Sequence, residues 1–141
     1  MKILLVLVLL LMNLYSYSQT YILEQYKSQY DTHYTNINNG YNYLHIVNDS
    51  LFVDVDLYGE SIIISGKIKK SNLNHTKNGK IYKYKVDNKY LPKTINLTIH
   101  ILGDDIIINI YKKFNRFEDI KFESRIADEK DLNRLNFINF R

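Results

Sequence analysis

The chain has 141 residues, a formal net charge of +4, a pI near 9.1, and neither cysteine nor tryptophan. Without cysteine, a disulfide scaffold, a thiol nucleophile and a lipid-modified cysteine are excluded, and the fold must rest on its apolar core. The mild positive charge is dispersed rather than gathered into the dense basic cluster of a nucleic-acid binder, so it reads first as a solubility feature and no nucleic-acid partner is expected.

Residues 1–18 carry the three parts of a secretory signal. Lys2 is the lone cation, residues 3–12 are an unbroken apolar run, and Ser16 and Ser18 supply the small residues of a cleavage site. The run falls well short of the roughly 20 apolar residues that cross a bilayer, so cleavage before Gln19 is expected, with no stable membrane insertion afterwards. Residues 19–141 then make one β-rich domain of roughly 120 residues, large enough to bury a core unaided. The expected destination is the periplasm, the cell surface or the medium.

Residues 19–35 are polar and tyrosine-rich, and Ile22, Tyr26, Tyr30 and Tyr34 recur every four residues, a spacing that predicts a short amphipathic helix. Asparagine and glycine mark residues 36–41 as a loop. From Asn42 the apolar period becomes two, and the core strands are expected over residues 42–126. Leu44 and Ile46 lead into an Asn48-Asp49 turn, which sets Ile46 against Leu51 and Leu44 against Val53. Leu51, Val53, Val55 and Leu57 form the next apolar face. Beyond a turn at Gly59, the residues Ile62, Ile64, Gly66 and Ile68 continue it.

Residues 70–79 read as a long loop between strands, after which Tyr82, Tyr84 and Val86 alternate with Lys83 and Lys85. Pro92 falls in the connection over 88–93, where its missing N–H costs least. Residues 94–114 form the clearest hairpin of the chain. With Gly103 and Asp104 as turn residues, Ile101 lies opposite Ile106, Ile99 opposite Ile108 and Leu97 opposite Ile110; a three-residue loop would set isoleucines against asparagine and histidine. A turn at Asn115-Arg116 leads to Ile120, Phe122, Ser124 and Ile126, with Lys121, Glu123 and Arg125 toward water. Residues 128–134 suit a short helix with Leu132 and Leu135 against the sheet, and residues 136–141 suit a last edge strand.

Motifs for chemistry are sparse. His33, His45, His75 and His100 lie in different elements without metal-ligand spacing, and Gly59-Glu60-Ser61 does not make a nucleophile elbow. No catalytic residue, metal or cofactor is expected, and the chain is read as a non-enzyme. Asp54 and Asp56 share a strand face about 7 Å apart, within reach of a glycosidic bond, yet they also fit as polar alternates of a half-buried strand with Ser65 and Lys67 as cross-strand neighbours. Lys67, Lys69, Lys83 and Lys85 project from one outer face, as a docking patch for an anionic partner or as solvated lysines that discourage aggregation. Tyr82 and Tyr84 fall on the core side and are the candidate ligand-binding residues, because a buried tyrosine hydroxyl wants a partner.

An antiparallel meander of about seven strands closes as an up-and-down barrel or folds over as a two-sheet sandwich. With the helical arm before it and the Gly-Asp-Asp hairpin late in the chain, residues 42–126 resemble the small exported lipocalin-like (calycin-type) proteins. Gly40-Tyr41-Asn42 stands nearest to their G-x-W signature and lacks its tryptophan. The resemblance implies a barrel with a mouth and an interior. The functional expectation is a non-catalytic binding module for a small apolar or amphipathic ligand. The alternative is a structural or protein-interaction component of the cell envelope, with a filled core and an envelope protein as partner.

Overall fold

The structure, a computed structural model, describes residues 2–13, 18–37, 42–57, 59–111 and 119–135. It is mainly β, with a short helix toward each end: α1 (Lys2–Asn13) and α2 (Glu129–Leu135). The strands are β1 (Ser18–Lys27), β2 (Thr35–Asn36), β3 (Tyr43–Val47), β4 (Ser50–Leu57), β5 (Glu60–Thr76), β6 (Gly79–Asn88), β7 (Thr94–Leu102), β8 (Asp105–Ile110) and β9 (Ile120–Ile126). Strands β3 to β9 pair in chain order, and β1 closes the ring by pairing with both β3 and β9. The result is a closed eight-stranded antiparallel barrel, with β2 appended to β1. Closure decides for the barrel over the sandwich and is compatible with the lipocalin-like resemblance. No helix among the described residues is long and apolar enough to cross a membrane.

Two-residue turns set the registers. Ile46 faces Leu51 and Leu44 faces Val53 across β3–β4. Across β7–β8 the pairs are Leu97 with Ile110, Ile99 with Ile108 and Ile101 with Ile106. At the first of these turns Asn48 has a φ of 52°, and at the other Gly103 has a φ of 62°; asparagine and glycine tolerate the left-handed region that such hairpins need. The turn holding Gly59 sets Leu57 opposite Glu60, so Asp54 faces Ile63 and Asp56 faces Ser61, in place of the expected Ser65 and Lys67.

Residues 19–35 do not form the expected amphipathic helix. Residues 18–27 are strand β1, whose buried apolar residues are Tyr21, Leu23 and Tyr26. A bulge at Glu24, between Leu23 and Gln25 of the β1–β9 ladder, adds one residue and shifts the phase of alternation. Of the expected stripe only Tyr26 is buried: Ile22 is half-buried, and Tyr30, 76% exposed, and Tyr34 lie beyond β1, so the four-residue recurrence marks no buried face. The core strands accordingly begin well before residue 42. Residues 70–79 are not a loop either: β5 runs on to Thr76 and a two-residue turn at Lys77 and Asn78 opens β6. Their polar character reflects a strand that overhangs the barrel, because β4 pairs with β5 only as far as Lys67. The turn expected at Asn115-Arg116 and the edge strand expected over 136–141 lie outside the described residues.

Inward side chains from all eight barrel strands meet in one apolar cluster that includes Leu44, Val53, Ile64, Val86, Ile99, Ile108 and Phe122. Where β6 leaves β5, the buried Asn88 continues the ladder with its side chain. The Ser65 N–H donates to Asn88 Oδ1 (2.9 Å), and Asn88 Nδ2 donates to the Pro92 carbonyl (3.1 Å).

Candidate functional site

The overhang of β5 gives the barrel an asymmetric mouth. Past Ile68 a bulge at Lys69 adds a residue, so the next ladder pairs are Lys70 with Lys85, Ser71 with Tyr84 and Leu73 with Tyr82. On the other side of β6, Tyr82 faces the fully buried Ile99 and Tyr84 faces Leu97. Tyr82 and Tyr84 therefore lie on the inner face, as alternation predicted. Their rings are stacked, with centroids 6.3 Å apart and planes 1° from parallel. Both are half-buried and pack on the rim of the apolar cluster beside Ile68 and Ile101. Leu73 extends this shelf outward and remains 41% exposed. The shelf is apolar, aromatic and open to solvent at the mouth, the combination that suits the apolar part of an amphiphile.

The bulge also re-sorts the lysines. Lys67 and Lys69 are paired, Lys67 Nζ lying 3.5 Å from Asp49 and Lys69 Nζ 3.7 Å from Asp87. Lys83 and Lys85 project from the outer wall as predicted, but the third cation beside them is Lys70, which the added residue turns to that face. Across β7 and β8 the same wall carries a polar cluster. Thr98 Oγ1 lies 3.1 Å from His100 Nε2 and 3.3 Å from the Tyr111 hydroxyl, and it accepts from Asn109 Nδ2 at 3.3 Å. Partial burial, and then the charges of Lys121 and Lys83, hold the His100 imidazole below its usual pKa.

The other groups considered for chemistry take structural places. His45 is buried, with Nδ1 2.7 Å from Thr20 Oγ1 and its ring stacked on Phe52, and burial lowers its pKa. Asp56 Oδ1 accepts the Gly59 N–H (2.9 Å), while the Asp56 N–H donates to Asn42 Oδ1 (2.9 Å). Asp54 lies opposite Tyr43, and its pKa is raised by burial first and by Asp56 second. His33 and His75 are exposed. Among the described residues no three His, Asp or Glu side chains converge as metal ligands would.

Sequence alternation placed Tyr82 and Tyr84 on the inner face. It missed Leu73 and Lys70, because the phase change at Lys69 leaves no mark in residue type. No protein-family model matches the chain. A comparison with curated proteins likewise finds no match.

Proposed function

We propose that the protein is an exported, non-catalytic binding module that takes a small apolar or amphipathic ligand at the barrel mouth rather than deep in its interior. The observation that carries this reading is the parallel Tyr82–Tyr84 pair, half-exposed on the inner face where β5 overhangs. Beneath it, inward side chains from every barrel strand form one apolar cluster, against which this pair packs at the rim. An alkyl chain laid along Leu73, Tyr82 and Tyr84 would gain about 25 cal/mol for each Å² of apolar surface it removes from water, and its polar head would stay in solvent. Export is supported by the signal-like residues 1–18.

Calorimetric titration of the full chain with a single-chain detergent below its micellar concentration tests this. The expected result is saturable binding that Tyr84→Ala and Leu73→Asp each weaken, while the far-wall variant Glu123→Gln leaves it unchanged. Absence of saturable binding, or equal binding by all three variants, would exclude a ligand at the rim.

A further inference from the structure

On the outer wall of β5, β6 and β7 lies a cleft of about 430 Å³, a size that accommodates small-molecule ligands. Two cross-strand rows line it: Lys70, Lys85 and Asn96 in one, and Asn72, Lys83 and Thr98 in the next. The Tyr84–Leu97 pair lies between the rows and forms the floor. Lys70 and Lys85 are directly opposed in the ladder, an arrangement that is unfavourable for like charges. No carboxylate among the described residues pairs with Lys70, Lys83 or Lys85, whereas the neighbouring Lys67 and Lys69 are both paired. The cleft thus concentrates uncompensated positive charge and places the amides of Asn72 and Asn96 beside it.

We propose that this cleft binds a segment of acidic saccharide, with Lys70, Lys83 and Lys85 on its carboxylate or sulfate groups and Asn72 and Asn96 on its ring hydroxyls. An anion bridging Lys70 and Lys85 relieves their repulsion, and the amides can both donate to and accept from hydroxyls, as a polyhydroxylated ligand requires. Asn72 and Asn96 add amides that match ring hydroxyls to the positive charge that an anionic lipid headgroup would equally attract, which favours a saccharide. The pKa of His100 is lowered by burial first, and the further contributions of Lys121 and Lys83 accord with a positive field along this wall. The site is on the opposite face of the sheet from the Tyr82–Tyr84 shelf and does not depend on it.

The test is titration of the full chain with a galacturonic acid tetrasaccharide, with maltotetraose, inorganic phosphate and phosphatidylglycerol vesicles as comparators. The acidic tetrasaccharide is expected to bind saturably and to weaken with salt, and the neutral one to fail. Lys70→Gln, Lys83→Gln and Lys85→Gln should each weaken binding roughly tenfold, as loss of a charge-assisted contact does. Lys67→Gln should leave it unchanged, and all four variants should still bind detergent as the parent does. Binding to vesicles or phosphate but not to the acidic tetrasaccharide would overturn the proposal, as would an equal loss in Lys67→Gln.

Discussion

Ile99 and Ile108 lie opposite each other across β7 and β8, and neither has any solvent exposure. They belong to the shared apolar cluster, with Phe122 beside Ile108 in the β8–β9 ladder. Ile108→Ala removes methyl groups from a fully buried position, so it should cost about 3 kcal/mol, the transfer free energy plus the cavity left behind. Ile99→Val should cost about 1 kcal/mol. Urea unfolding checks both. Values near zero for Ile108→Ala would mean that the residue lines a void instead.

Gly66 is required by the crossing of β5 and β6. A Cβ at this position would stand 1.8 Å from the Asp87 carbonyl oxygen, a backbone atom that no rotamer change can move. Gly66→Ala should therefore destabilise the barrel by at least about 3 kcal/mol, the upper range for overpacking. Gly59 is the contrast, since a Cβ there meets nothing within 4 Å. With its φ of 83°, Gly59→Ala should cost only the strain of a left-handed residue, about 1 to 2 kcal/mol. Thermal melting of the two variants should rank them in that order.

The hairpins were legible in the sequence because their turns are two residues long and their apolar residues alternate without interruption, so each register had one consistent solution. Strand β1 was not. One extra residue at Glu24 moved the buried positions from Tyr21 and Leu23 to Tyr26, which breaks the period of two, while the four-residue recurrence of Ile22, Tyr26, Tyr30 and Tyr34 coincides with no buried face. The β5 overhang failed for a different reason. Residues 71–76 are exposed on a strand that projects beyond β4, so burial imposes no pattern on residue type and the segment reads as loop. Tyr82 and Tyr84 sit on an uninterrupted strand, so alternation placed them on the inner face, whereas Lys70 owes its orientation to the bulge beside it.

Tyr43 provides a test at alkaline pH. It is buried on β3 opposite Asp54, and burial first, then the Asp54 charge, push its hydroxyl up to about 12. An unfolded tyrosine ionises near 10, so between about pH 10 and 12 the native state holds a proton that the unfolded chain has lost. The contribution is fully present below the unfolded value and disappears as pH rises through the native one. The melting temperature should fall across this window, and it should fall less in Tyr43→Phe. Asp54→Asn should retain most of the fall, because burial is the larger cause. If Tyr43→Phe and the parent chain fell in parallel, Tyr43 would have to titrate at its ordinary value.

Arg125 and Asp131 provide the corresponding test in acid, located at the exit of the barrel. The Arg125 Nη1 and Nη2 atoms donate to the two carboxylate oxygens of Asp131, at 2.5 and 3.0 Å, and Arg125 Nε lies 3.5 Å from Glu24. Asp131 also closes the first turn of α2. The Asp128 N–H donates to Asp131 Oδ2 and the Asp131 N–H to Asp128 Oδ1, both at 2.9 Å, a reciprocal capping arrangement. These donors, Arg125 foremost, hold the Asp131 carboxyl well below the usual carboxylate range. Because the native pKa is depressed, the stabilisation is present above the unfolded value near 3.9 and is lost as pH falls below it. The guanidinium is 41% exposed, so the pair is worth no more than about 1 kcal/mol. A helix of seven residues has little stability of its own, so that amount suffices to decide whether α2 stays docked. Protection factors in residues 129–135, taken against the intrinsic exchange rate at each pH, should therefore fall below about pH 4 while those of the barrel strands persist. Asp131→Asn should show the lowered protection already at neutral pH and lose its dependence on acid. Glu24→Gln should behave as the parent does, because the more distant contact contributes little. Uniform loss of protection across α2 and the strands would mean that the helix unfolds only with the whole barrel, and that Arg125 and Asp131 do not control it separately.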